Sequence, residues 1–162
     1  MNLQLLSTLA EIIGSIGVVI SLIYLAQQIK LSNVFSHSNT RRDMLQSTVQ
    51  ELYTVVGNPI IWEAFNKESL TKSEKYQLHA WIVANIRQRE FEWFQMENGI
   101  IDISTFKSYT GIIGIILGTK RTRRWWSEYK IYYDPKFIAY VDEYLEKQPL
   151  SDFHKNIEKI LE

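Results

Sequence analysis

From Leu3 to Ile29 the chain carries a single formal charge, Glu11, in a run otherwise made of aliphatic, small and uncharged polar residues. A helix over that run, rising about 1.5 Å per residue, reaches about 40 Å, against a bilayer hydrocarbon core of about 30 Å. Residues 1–30 are therefore expected to form a transmembrane helix. The chain starts Met1-Asn2-Leu3-Gln4, without the basic n-region of a signal peptide, so the segment is expected to be retained. Lys30, Arg41 and Arg42 follow the run and no Lys or Arg precedes it. By the positive-inside rule this places the N-terminus outside and the C-terminal bulk in the cytoplasm.

Projected at about 100° per residue, the run is two-sided. Gln4, Ser7, Thr8, Glu11, Gly14, Ser15 and Ser21 share one side, and Leu5, Leu6, Leu9, Ile12, Ile13, Ile16, Val19, Ile20 and Ile23 take the other. A helix bathed only in lipid has no reason to gather its polar and small residues. One that packs against protein does, because small residues let backbones approach and polar ones bond across the interface. An acid near a membrane-helix centre costs about 2.5 to 3.5 kcal/mol on insertion scales. Three readings of Glu11 follow: a hydrated or protonated acid near the interface, an assembly contact with neighbouring copies, or a ring of carboxylates at a cation pore. A helix lying in the interface should carry Lys or Arg on its polar face, and this one has none. The oligomer or pore face is thus Ser7, Glu11, Gly14, Ser15 and Ser21, and a homo-oligomer is the expected assembly.

Beyond Ile29 the pattern stays helical. Leu31, Val34, Phe35, Met44, Leu45, Val49, Leu52, Tyr53 and Val56 recur at helical spacing with no Gly or Pro until Gly57-Asn58-Pro59, so residues 31–56 are expected to extend the helix and 57–162 to form the domain. A short helix suits Ile60 to Phe65. Thr71-Lys72-Ser73-Glu74 is a capping box that predicts a long helix to Glu97, ended by Asn98-Gly99. Ile103 to Leu117 reads as one further helix, capped by Asp102 or Ser104. Another starts at Thr119 or Thr122 and carries Trp125 and Trp126, and Asp134-Pro135 opens the last. The stretch "GIIGIILG" offers about half the length of a second span and is expected to be buried core. The fold class is all-α: a long N-terminal transmembrane helix continuing into a cytosolic helical bundle.

Chemistry is sparse by comparison. There is no cysteine, which excludes disulfides, thiolate metal sites and thiol nucleophiles. Charge is balanced at 18 basic and 18 acidic residues, so no global field favours nucleic acid. His37, His79 and His154 are far apart and not at metal-ligand spacing, and phosphate-loop, dinucleotide and Gly-x-Ser-x-Gly patterns are missing, so no cofactor is implied. Two charged clusters stand out. Arg87, Arg89, Glu90 and Glu92 lie among aromatics, with Arg87–Glu90 and Arg89–Glu92 each three residues apart and able to pair along a helix. Buried, they make a charge network with the perturbed carboxylate that acid–base work needs. Lys120, Arg121, Arg123 and Arg124 crowd a helix start just before Trp125 and Trp126, where cations oppose the helix dipole; they are candidates for holding an anion or lipid headgroups.

These residues resemble a widespread group of small bacterial proteins. The likeness lies in Ala10-Glu11-Ile12-Ile13-Gly14, Val18-Val19, Ser21-Leu22-Ile23-Tyr24-Leu25-Ala26 and Gln28-Ile29, then in the Glu90 to Gly99 segment, the Trp125-Trp126 pair and "PKFIAYVDEYL". After Ile29 the group has a basic residue followed by Gln-Asn, where this chain has Lys30-Leu31-Ser32-Asn33. The resemblance implies a single-pass inner-membrane anchor with a helical domain and implies no reaction. The expected role is a scaffold, sensor or channel-like assembly; the alternative is a membrane-anchored enzyme or ligand-binding helical domain.

Overall fold

The computed structural model describes residues 3–151 and Leu161. Over these residues the chain is all-α. Helix α1 (Leu3–Val56) is followed by α2 (Pro59–Asn66), α3 (Lys72–Glu97), α4 (Ile103–Thr110), α5 (Ile112–Ile116), α6 (Lys120–Tyr129), a 3-10 turn (Lys130–Tyr132) and α7 (Pro135–Glu146). Among the described residues no strand forms. The chain divides into two compact units, Met1–Met44 and Leu45–Glu162. The second unit begins inside the expected extension, because residues from Leu45 onward make contacts with the rest of the domain; the helix itself runs unbroken to Val56.

Helix starts follow the local chemistry. Thr71 accepts from the Glu74 amide at 3.3 Å while the Glu74 carboxylate accepts from the Thr71 amide at 2.6 Å, so two otherwise orphaned donors are satisfied at the start of α3. The hydrogen bond from Lys67 first, and then those with Thr71, hold the Glu74 carboxyl down at about 2. Asp102 caps α4 by accepting from Thr105, Thr119 caps α6, and Asp134 with Pro135 opens α7. Gly99 stops the chain after α3 with φ at 69°, a left-handed conformation that a Cβ would strain.

One expected element splits. Residues 103–117 make two helices with Gly111 between them, where the Gly114 amide bonds the Gly111 carbonyl over three residues at 3.2 Å. Glycine contributes no side chain to hold the helix there, and both flanks gain burial: Thr110 and Ile113 are buried.

Helix α3 is the axis of the domain, packing against α2, α4 and α5. Its buried face comprises Leu78, Ile82, Asn85, Ile86, Arg89, Glu92 and Trp93. Around it Phe106, Ile113, Ile116, Leu117, Phe137 and Val141 are also buried, so "GIIGIILG" enters the core through Ile113, Ile116 and Leu117 while Gly111 stays exposed. The aromatic residues interlock with tilted rings: Trp126 with Tyr133 at 5.4 Å between centroids, Trp93 with Phe137 at 6.0 Å, Phe106 with Tyr140 at 5.4 Å. Such pairs add roughly 0.5 to 1.5 kcal/mol each beyond the area they bury.

Candidate functional site

None of the apolar window of α1 is buried. Among the described residues this is the one helix long and apolar enough to cross a membrane. Every described side chain from Ser7 to Asn39 is exposed, Ile13 at 69%. Along the polar stripe the hydroxyls turn back onto their own helix: Thr8 donates to the Gln4 carbonyl at 3.0 Å, Ser15 to Ile12 at 2.8 Å and Ser21 to Gly17 at 2.9 Å. Their hydrogen-bonding need is met internally, so they present small surfaces rather than free donors. Open space surrounds Gly14 where a Cβ would stand. Ser7, Glu11, Gly14, Ser15 and Ser21 are all exposed, and among the described residues Glu11 has no ion pair.

The charged cluster on α3 separates into two sites. Arg87 and Glu90 pair at 2.6 Å, with Arg87 also donating to the Tyr132 carbonyl at 2.6 Å and lying 4.2 Å over the Tyr133 ring, while Glu90 accepts from the Asp134 amide at 2.7 Å. They tie α3 to the α6–α7 connection. With Phe91, Trp93, Phe94 and Asp134 they line an open groove of about 270 Å³.

Arg89 and Glu92 point the other way, into the core. The Arg89 side chain is 1% exposed and that of Glu92 is fully buried; their ion pair measures 3.0 Å. The same Arg89 nitrogen, Nη2, reaches the Glu51 carboxylate of α1 at 3.1 Å, and Nη1 donates to the Tyr109 carbonyl of α4 at 3.3 Å. Burial pushes the Glu92 carboxyl up to about 7, against the opposing pull of Arg89. Both three-residue spacings on α3 become ion pairs. The four charges nevertheless do not converge on one cavity, and they pair with one another and with main chain. Glu51 had no signal in the sequence: it is a single acid on a helix, and its partner lies 38 residues away.

The basic cluster has a structural employer for two of its members. Arg121 donates to the carbonyls of Ala64 and Phe65 and, at 3.1 Å, to that of Glu68, closing the C-terminal end of α2. Arg123 donates through Nε to Leu117 at 2.6 Å, through Nη1 to Leu145 at 2.8 Å and through Nη2 to Gln148 at 2.9 Å, closing α5 and α7 together. Cations that oppose the dipole of their own helix thereby complement the negative ends of three others. Their donors are spent on carbonyls, while Lys120 and Arg124 are exposed.

Trp126 donates to Asp142 at 2.8 Å from inside the core, whereas Trp125 donates to Nδ1 of His79 at 2.9 Å and stacks on Tyr129 at 4.8 Å. An indole N–H only donates, so Nδ1 of His79 accepts and its ring proton sits on Nε2. Among the described residues no group of His, Asp and Glu is arranged to hold a metal ion; His154 lies outside the described residues. No family model, no curated protein and no solved structure matches this chain.

Proposed function

We propose that the protein is a bacterial inner-membrane protein with a single membrane helix, N-terminus outside, that assembles with copies of itself through the Ser7, Glu11, Gly14, Ser15 and Ser21 face. Its cytoplasmic helical domain is then carried as a scaffold, sensor or channel-like assembly. The observation that supports this is the exposure of a long apolar helix: Ile12, Ile13, Ile16, Val19, Ile20 and Ile23 are each at least half exposed. A continuous apolar surface of that kind marks contact with lipid or protein. Lipid suits the aliphatic side. It does not suit a stripe holding a carboxylate among small residues, which another copy of the helix would cover and bond.

The test is to express the full chain, extract membranes with alkaline carbonate, and size the detergent-solubilised protein by light scattering. The protein is expected to stay in the carbonate pellet and to run as an oligomer, and Glu11→Leu is expected to shift it towards monomer, by roughly five- to thirtyfold in the association constant for a contact of about 1 to 2 kcal/mol. Extraction by carbonate overturns the membrane assignment. A wild-type monomer, or an unchanged oligomer in Glu11→Leu, overturns the assembly.

A further inference from the structure

We propose that Glu51, Arg89 and Glu92 form a proton-binding site that fastens residues 45–56 of α1 to α3 while the cluster holds one proton, and that losing the proton loosens this attachment. The site is independent of the membrane-assembly reading.

Charge balance is the first support. The Arg89 guanidinium is a permanent cation. Two carboxylates meet on its single Nη2 nitrogen, Glu51 Oε1 at 3.1 Å and Glu92 Oε1 at 3.0 Å, so with both ionised the cluster carries a net negative charge inside the core. A buried charge without a partner is costly, and a carboxylate in that position takes up a proton instead.

Hydrogen-bond balance is the second. Glu51 Oε2, Glu92 Oε2 and Arg89 Nε are buried with no bonding partner. Among the described residues the recorded polar neighbours bring no further charge: Gln88 of α3 donates its amide to Glu92 Oε1 at 3.3 Å, and Tyr109 of α4 offers Arg89 a carbonyl. The charged groups of the cluster are therefore Glu51 on α1 with Arg89 and Glu92 on α3. Two carboxylate oxygens lack donors, and a proton supplies one.

The direction of the pH effect follows from the Glu92 carboxyl, which burial raises from its ordinary 4.5 to about 7. Between those limits the packed state holds a proton that the opened state releases, so packing is strongest at the acid end and weakens as pH rises towards 7. Each pH unit inside that window increases the opened fraction about tenfold for one linked proton.

The experiment is hydrogen exchange on the full chain in detergent micelles, following residues 45–56 at about pH 5, 6 and 7, corrected for intrinsic exchange. The wild type is expected to open about tenfold more per pH unit. Glu92→Gln, a neutral isostere of the protonated acid, and Glu51→Gln, which leaves one carboxylate to one guanidinium, are expected to remove that dependence. A wild type with pH-independent protection, or two glutamine variants that keep the wild-type slope, overturns the site. Should a variant fail to fold, infrared spectra of the wild type decide. A buried carboxylic-acid carbonyl band at about pH 6, lost by about pH 8 and retained in Glu11→Leu, supports the site, and no such band overturns it.

Discussion

Two short stretches of this chain are nearly the same and meet opposite fates. Ile12-Ile13-Gly14-Ser15-Ile16-Gly17 lies in α1, and Ile112-Ile113-Gly114-Ile115-Ile116-Leu117-Gly118 covers α5 and its end. Ile13 is 69% exposed and Ile113 is 0% exposed. A Cβ on Gly14 would meet nothing, whereas one on Gly114 would stand 3.1 Å from the Tyr144 hydroxyl and one on Gly118 would stand 2.6 Å from the Gly114 carbonyl. The glycines of the first stretch, Gly14 and Gly17, are places left open, and those of the second are close approaches already used. Local sequence is the same in kind. What differs is the length of the apolar run around it, long enough in α1 to cross a bilayer and about half that in α5.

Substitutions are expected to divide by region. The largest effect is expected at Arg89, where Arg89→Met leaves the buried Glu92 and the half-buried Glu51 without their cation; about 3 to 5 kcal/mol of domain stability should be lost, read as a lowered melting temperature of the solubilised full chain. An unchanged melt would mean that the domain does not depend on its buried pairings. A middle effect is expected at the capping box: Thr71→Ala removes the acceptor for the Glu74 amide and should cost about 1 kcal/mol in the same melt. The smallest effect belongs to α1. Ile16→Ala removes a side chain that is 53% exposed, so the domain melt should move by less than about 0.5 kcal/mol, whereas a core isoleucine truncated to alanine typically costs about 2 to 5. A large loss at Ile16 would break the comparison, since it would require the chain's own fold to bury that face.

The charged clusters separate what spacing reveals from what it hides. The pairs Arg87–Glu90 and Arg89–Glu92 are legible because residues three apart share a helix face whatever surrounds the helix. Spacing says nothing of which pair faces inward: Arg87 reaches the α6–α7 connection and Arg89 the core, although they are two residues apart. The basic cluster teaches the same lesson. Its position against the helix dipole is visible at once, but its reason is not, because the carbonyls that Arg121 and Arg123 satisfy belong to α2, α5 and α7. His79 and Trp125 likewise meet across 46 residues with nothing in either neighbourhood to announce it.

The all-helical class, the long apolar N-terminal helix, the caps at Thr71 and Asp134 and the burial of Ile113, Ile116 and Leu117 are legible along the chain, whereas the choice of Asp102 over Ser104 and of Thr119 over Thr122 is settled by the fold. The legible features depend on forces acting within a few residues or on the summed length of an apolar run, and both are written in order along the chain. The break at Gly111, the inward turn of Arg89 and Glu92, the recruitment of Glu51 and the use of arginines to close other helices arise from packing. These depend on which surfaces meet. A carboxylate's environment, and hence its affinity for a proton, is set by neighbours that burial brings together from distant parts of the chain.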